Sequence, residues 1–357
     1  MKQNLIIRAD TSTQIGAGHA MRCLALAQAW QDAEGCATFL MSEVTPTLKT
    51  RLLSEGIEVI HLSAYPGSAD DAVQTRELAQ QVGAAWIVVD GYHFGADYQR
   101  IIKDANVGLL FIDDNEHAGH YYADIVLNQN IYAHELLYEN KEPYTRFLRG
   151  TRYILLRREF LKWHGWKREI PHAARKVLVT MGGGDPDNVT LKVMQALQQI
   201  DIGRLEVEIV VGANNPHFLE LQSAIHNPQS AIHLKKDVIN MPELMSRADV
   251  AVSAGGSTCW EMAFMGLPAA VLVLAENQKD IAAGLGEAGV VINLDQYTEV
   301  SVEKAANTLA RMIEDRELRK GMSLKGRELV DGMGAVRVAE ILSTEFKAHL
   351  GENRLCA

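Results

Sequence analysis

Short β-branched or aliphatic runs alternate with helical patterns along all 357 residues, and the series begins twice. Such alternation is the mark of βαβ units and a mostly parallel sheet. In the first half the strand-like runs are "NLIIRA", "ATFLMS", "IEVIH", "AWIVVD", "GLLFID" and "DIVLNQ". The pattern then breaks at residues 157–174, "RREFLKWHGWKREIPHAA", where charges, two tryptophans, Gly165 and Pro171 interrupt any period. It restarts with "KVLVTM", "LEVEIVV", "AIHLK", "DVAVSA", "AAVLVL" and "VVINL". Both halves open as strand, glycine-rich loop and helix, in "LIIRADTSTQIGAGHAMRCLALA" and "VLVTMGGGDPDNVTLKVMQAL". The length suits two domains of ordinary size. The expected fold class is therefore α/β, two Rossmann-like doubly wound domains facing across a cleft, with boundaries near 1–165 and 166–357. Both glycine loops would then lie at strand carboxyl ends, where ligands bind in such sheets. The terminal "AVRVAEILSTEFKAHL" reads as a closing helix able to pack back on the first domain.

With 47% hydrophobic and 22% charged residues, the chain has ample apolar surface to bury. A formal net charge of -10 argues against nucleic acid or an anionic membrane surface as partner, since both favour excess Lys and Arg. Cys23, Cys36, Cys259 and Cys356 show neither CxxC nor Cys/His spacing, so neither a zinc site nor a disulfide framework is expected. No stretch approaches the roughly 20 apolar residues that span a bilayer. A cytoplasmic protein with reduced thiols is the expectation, as a monomer rather than an oligomer.

Three glycine loops carry the candidate chemistry. In "IGAGHAMRCLALAQAW", Gly16 and Gly18 permit a tight corner, and His19 falls in the first turn of a helix whose Met21, Leu24, Ala25, Gln28 and Ala29 give an amphipathic spacing. A helix N-terminus disfavours a cation, so His19 is placed to accept a proton; a plain tight turn in which it satisfies backbone groups is the competing reading. A dinucleotide is disfavoured, because the third glycine of G-x-G-x-x-G would be Met21 and the second strand ends in Ser42 rather than an acid. In "TMGGGDPDN", Gly183 and Gly184 offer amides to a diphosphate ahead of a helix following Pro186, or form a corner capped by Asp185 or Asp187. "VSAGGSTCWEMAFMGLP" is the most specific stretch. Gly255, Gly256, Ser257 and Thr258 would cover a helix start with amides and hydroxyls, and Glu261 can accept both hydrogen bonds of a ribose diol. A capping box between Ser257 or Thr258 and Glu261 is the structural alternative. "LAENQ" supplies Glu276, Asn277 and Gln278 at a strand end.

Other residues admit two readings. Arg8 and Asp10 share one face of the first strand, as an ion pair or with Asp10 orienting His19. Asp113 and Asp114 point in opposite directions at a strand end, one suited to cap a loop and the other to reach the ligand; no metal is expected there. Arg157 and Arg158 either meet a phosphate or are solvated at the junction, and Trp163 and Trp166 suit packing better than stacking on a base. His93 and His117 are secondary candidates.

The run of "GGS", a downstream helix glutamate, a strand and an amide pair resembles the nucleotide-binding half of UDP-sugar enzymes with the glycosyltransferase-B (GT-B) architecture. Together with "VVDGYHF", "FIDD" and "YILLRREF", the ordered set is similar to the PseG family, hydrolases of UDP-2,4-diacetamido-2,4,6-trideoxy-β-L-altropyranose in pseudaminic acid biosynthesis. The match runs over nearly the whole chain. The resemblance implies that His19 activates a water that displaces UDP with inversion, that Tyr92 lines the sugar pocket and that Asn277 lies near the reacting centre beside Gln278. It further implies that Glu261 holds the ribose, that Gly255, Gly256, Ser257 and Thr258 take the diphosphate with Gly183 and Gly184, and that Val238 edges the uracil. No cofactor or metal is implied, and the expected partner is a small-molecule UDP-sugar. Rival readings are a glycosyltransferase of the same architecture using a UDP-amino sugar, and a UDP-sugar-binding module without catalysis.

Overall fold

The computed structural model describes residues 3–12, 16–200, 205–212, 215–225 and 231–355, with side chains up to residue 347. Cys356 lies outside this set. The chain divides into two compact units, Met1–Leu161 with Gly332–Ala357, and Lys162–Asp331.

In the first unit, strands β1 (Asn4–Ala9), β2 (Cys36–Met41), β3 (Glu58–His61), β4 (Ala84–Asp90), β5 (Gly108–Ile112), β6 (Ile125–Asn128) and β7 (Arg146–Arg149) form one sheet in the order β3-β2-β1-β4-β5-β6-β7. Every pairing is parallel. Helices α1 (Gly18–Asp32), α2 (Pro46–Ser54), α3 (Ala69–Gln81), α4 (Ala96–Lys103) and the short α5 (Arg158–Leu161) follow in sequence. Residues alternate between faces of a strand, and β1 sorts accordingly: Leu5, Ile7 and Ala9 join one core, Ile6 the other. Burial on both faces is why these strands read as unbroken apolar runs. β7 carries no such run, since "RFLR" at the sheet edge buries only Leu148 fully, and its sequence gives no strand signal.

The second unit repeats the plan. Strands β8 (Lys176–Thr180), β9 (Glu206–Val211), β10 (Ile232–Lys236), β11 (Val250–Ala254), β12 (Ala269–Val273) and β13 (Val291–Gln296) are ordered β10-β9-β8-β11-β12-β13, again all parallel. Its helices are α6 (Val189–Gln198), α7 (Phe218–Ala224), α8 (Met241–Arg247), α9 (Thr258–Phe264), α10 (Lys279–Glu287), α11 (Val302–Glu314) and α12 (Arg316–Leu329). All six strands follow the runs read from the sequence.

The last helix, α13 (Gly334–Leu355), belongs to the first unit. Its Ala335, Val338, Ala339 and Leu342 enter the core around α1, and the Trp86 indole donates to the Leu342 carbonyl at 2.9 Å. This covering corrects the amphipathic reading of α1. From Ala20 to Trp30 only Met21 escapes full burial, because β1, β2 and α13 surround the helix. A helix wrapped on all sides tolerates a polar residue only where a partner meets it, and α1 carries two such residues at its start.

Candidate active site

In each doubly wound sheet the strand order reverses once, between β1 and β4 and between β8 and β11. The loops leaving such paired strands part to opposite faces and open a crevice at their carboxyl ends.

At the first reversal Ala9 lies beside Asp90, the last residue of β4. Gly16 turns the chain with φ 76, its amide bonded to the Ser12 carbonyl at 2.9 Å. The side chain of a non-glycine residue would have room there but the wrong backbone angle. Gly18 then opens α1 without a side-chain cap, and His19 and Arg22, three residues apart, share one face. His19 Nδ1 stands 2.7 Å from Asp90 Oδ1. Arg22 grips the same carboxylate with Nε at 2.6 Å and Nη2 at 2.7 Å, and reaches Asp114 Oδ1 through Nη1 at 2.8 Å. Asp114 also accepts from Asn130 at 2.7 Å and from the Tyr92 hydroxyl at 3.1 Å. The Tyr92 ring meets the His19 imidazole edge-on, with centroids 4.8 Å apart.

Burial alone would raise the pKa of both Asp90 and Asp114. The Arg22 guanidinium outweighs it, with His19 adding to the effect, and holds both carboxyls below the usual range. An ionised carboxylate can only accept, so the 2.7 Å contact requires His19 Nδ1 to carry the hydrogen. Nε2 is then the proton-accepting nitrogen. Cys23 places its Sγ 3.5 Å from Asp90 as a further donor, and burial followed by Asp90 pushes the thiol up, keeping it protonated.

Asp10 does not take the orienting role. It pairs with Arg8 at 2.7 Å and accepts from the Ser42 and Glu43 amides at 2.8 and 3.0 Å, while Arg8 also binds Asp71 through two nitrogens. The pair is structural and fully buried. Asp113 caps the following loop through the amides of Asn115 and Glu116, at 2.7 and 2.8 Å, while Asp114 turns to the cluster. His93 lies 3.4 Å from Asp10 and His117 lies 3.5 Å from Asp113. Arg157 pairs with Glu159, and Arg158 with Asp32 and Glu55, so both are tied to acids of their own unit. Trp163 and Trp166 pack edge-on against each other at 5.2 Å. Among the described residues no group of three or more His, Cys, Asp or Glu side chains is disposed to hold a metal ion.

The second reversal is built differently. After β8 the glycine loop runs through Gly182 (φ 83), Gly183 and Gly184, and α6 starts at Val189, later than Pro186 suggests. Asp185 sets that start by accepting from the Val189 amide at 2.7 Å and from the Thr190 amide and hydroxyl at 2.9 and 2.6 Å. A Cβ on Gly212 would come within 2.2 Å of the Gly183 carbonyl, so β9's end presses directly on this loop. After β11, Gly255 and Gly256 lead into α9. Ser257 is its N-cap residue but makes no side-chain capping bond, and Glu261 falls four residues into the helix; the capping box is not formed. Gly255 packs on Gln278, whose side chain accepts from the Leu274 amide at 3.0 Å. Residues Glu276–Gln278 form one turn of 3-10 helix with Asn277 exposed. Gly183, Gly184, Gly255, Gly256, Ser257, Thr258 and Gln278 thus follow the adjacent strands β8, β11 and β12. Val238 follows β10, three strands from β11 and hence about 14 Å away along the sheet.

Comparison with known proteins follows this division. Residues 177–333 match the model of the glycosyltransferase family 28 C-terminal domain. The solved structure of MurG from Acinetobacter baumannii superimposes with a TM-score of 0.65 at 16% identity, covering 96% of this chain and 100% of that one. Anabaena Alr3699/HepE, solved with UDP-glucose, gives 0.63 at 15% identity, covering 96% and 99%. The fold is that of the GT-B enzymes. Among curated proteins, the uncharacterised MJ1062 of Methanocaldococcus jannaschii is 26% identical over 77% of this chain, and this chain spans 57% of its length. The UDP-2,4-diacetamido-2,4,6-trideoxy-β-L-altropyranose hydrolase of Campylobacter jejuni is 27% identical over 80% of this chain and 97% of its own. A GT-B chain similar to UDP-sugar enzymes accounts for a glycine-lined reversal in the unit matched by the family 28 model.

Asp90, Arg22 and Asn130 are the members of the first cluster that sequence reasoning passed over. Asp90 was within reach, as the acid closing "AWIVVD", the longest strand and the one beside β1. Arg22 had a weaker signal, a cation three residues after His19 in an otherwise apolar helix.

Proposed function

We propose that this chain is a cytoplasmic hydrolase that releases UDP from a UDP-linked 2,4-diacetamido-2,4,6-trideoxy hexose, by inverting attack of water at the anomeric carbon. The observation that carries the reading is the His19–Asp90 pair, 2.7 Å apart at the first reversal, with Nε2 left to take a proton. The substrate class is supported by the name of the Campylobacter relative.

UDP is a good leaving group, so the protein's task is to place water, favour developing positive charge on the sugar and hold the diphosphate. His19 Nε2 takes one proton of the water as its oxygen bonds to the anomeric carbon and the bond from that carbon to the UDP oxygen breaks. Asp90, kept ionised by Arg22, stabilises the imidazolium as it forms. Such a base contributes about 10²–10⁴-fold. Tyr92 lines the sugar pocket with Asn277 and Gln278 near the reacting end. Gly183, Gly184, Gly255, Gly256, Ser257 and Thr258 bind the diphosphate through amides and hydroxyls. Glu261 takes the ribose diol and Val238 the edge of the uracil.

The match to a glycosyltransferase model favours a second reading, in which a sugar hydroxyl replaces water. The test is incubation of the pure protein with UDP-diacetamido-trideoxy sugars and EDTA, without acceptor, following UDP and free sugar by NMR. Free sugar that appears with wild type and is lost in His19→Phe, with UDP binding retained, supports hydrolysis. No free sugar from any donor moves the assignment to the transferase.

A further inference from the structure

Beside the proposed base, on the same face of α1, stands Arg22. Its side chain is 9% accessible, and its guanidinium is shared between two buried carboxylates. Each carboxylate serves a different ligand-facing group: Asp90 receives the His19 Nδ1 hydrogen and Asp114 receives the Tyr92 hydroxyl. Arg22 Nη2 donates to the very oxygen of Asp90 that accepts from His19. We infer that Arg22 is a positioning residue that fixes both the tautomer of His19 and the orientation of Tyr92, coupling the proton acceptor to the wall of the sugar pocket. The inference rests on His19 being the base.

Two buried carboxylates joined only through one cation cannot both stay ionised once that cation is removed. One proton would be taken up at Asp90 or Asp114. A protonated Asp90 no longer obliges Nδ1 to carry the hydrogen, so the imidazole divides between tautomers and loses its fixed acceptor at Nε2. A protonated Asp114 can itself donate, and the bond it accepts from the Tyr92 hydroxyl loses its ionised acceptor, which loosens the ring's edge-on seat against His19. Lys cannot replace Arg here, because three bonds to two carboxylates are made by three nitrogens held in one plane.

The experiment has two arms. Long-range ¹H–¹⁵N spectra of histidine-labelled protein, with the His19 signals assigned by their loss in His19→Phe, read the tautomer without substrate. The expected result is Nδ1–H for wild type and a mixture of tautomers in Arg22→Met. The second arm is steady-state UDP release. Asp90→Asn should lower kcat about 10²-fold or more with KM within threefold, Asp114→Asn should raise KM with kcat within threefold, and Arg22→Met should do both. Should Arg22→Met fail to fold, Arg22→Lys takes its place in both arms. Wild type with hydrogen on Nε2, or a folded Arg22 variant with unchanged tautomer and kinetics, overturns the inference. Tautomers that respond to Arg22 while wild type releases no UDP from any donor leave the inference standing and remove the hydrolase reading instead.

Discussion

The two reversals of strand order occupy the same place in the same topology, yet they present opposite kinds of chemistry. Between β1 and β4 the chain sets an imidazole, a guanidinium and two carboxylates, each held by at least one bond of 2.8 Å or less. Between β8 and β11 it sets glycines and hydroxyls, and its one buried acid there, Asp185, is spent on starting a helix. The second unit does hold a half-buried and a buried cation, but elsewhere. Arg168 and Arg319 donate to backbone carbonyls, those of Met245, Ala248 and Met265 and those of Met312, Ile313, Pro171 and His172. The Arg168 partners end α8 and α9, which lead into β11 and β12, so this cation sits at the opposite end of the sheet from the glycine loops. One fold can therefore carry a side-chain site held by ion pairs or a backbone site free of them. The first suits a step in which a single proton must move at a fixed atom; the second suits a diphosphate, whose charge is spread over many oxygens.

If that division is real, damage to each reversal should have its own kinetic signature. The largest effect is expected from His19→Phe, a fall of about 10²–10⁴-fold in UDP release with UDP affinity by calorimetry within twofold of wild type. Gly255→Val tests the other side. A Cβ at Gly255 already lies 3.1 Å from Gln278, so the branched side chain must push the 276–278 turn off the glycine loop. UDP affinity should fall about tenfold while kcat at saturation stays within threefold. Equal losses of kcat in both variants would erase the distinction.

How much of this was open to the sequence depends on distance along the chain. The strands were legible because burial on both faces leaves unbroken apolar runs, and β7 was not because an edge strand has little to bury. His19 was legible because glycines and a helix start are neighbours in sequence. Its partner was not: Asp10 stands nine residues before His19 and Asp90 seventy-one after it, and only the parallel pairing of β1 with β4 brings the distant one close. The amphipathic reading of α1 failed for the same reason, since the helix that covers its outer face, α13, lies at the far end of the chain. Loops joined to adjacent strands could be grouped only once the strand order was known, which is what separates Val238 from the other second-unit residues.

Smaller effects probe how each site is held. Asp185 sits at φ 51, in the left-handed region, and caps α6 through both oxygens. Asp185→Ala loses the cap and strains the turn, about 1 kcal/mol from each, which should lower the melting temperature of the second unit by about 4–8 °C. Asp185→Asn, which tolerates that angle, should recover part of the loss, and calorimetry reads both.

The smallest effect separates the first unit's ion pairs by sign. Burial lowers the pKa of His117, but Asp113, 3.5 Å from its Nδ1, and the charge of Asp114 more than reverse this, so the folded value is raised above 6.5. A raised value means that the folded state holds the proton more tightly; the stabilisation is complete below about pH 6.5 and is lost as pH rises through the folded value. Asp90 and Asp114 have lowered values, so their contribution is complete above the ordinary 3.8 and is lost only as pH falls towards the folded values. Between pH 6.5 and 8.5 the carboxylates are therefore constant and His117 alone of these three changes. His117→Asn should flatten the decline of the first unit's melting temperature across that window by about 1–3 °C, while the wild type and variant converge at the alkaline end. Parallel curves at every pH would mean that His117 packs against Tyr92, 5.6 Å away, as a neutral ring.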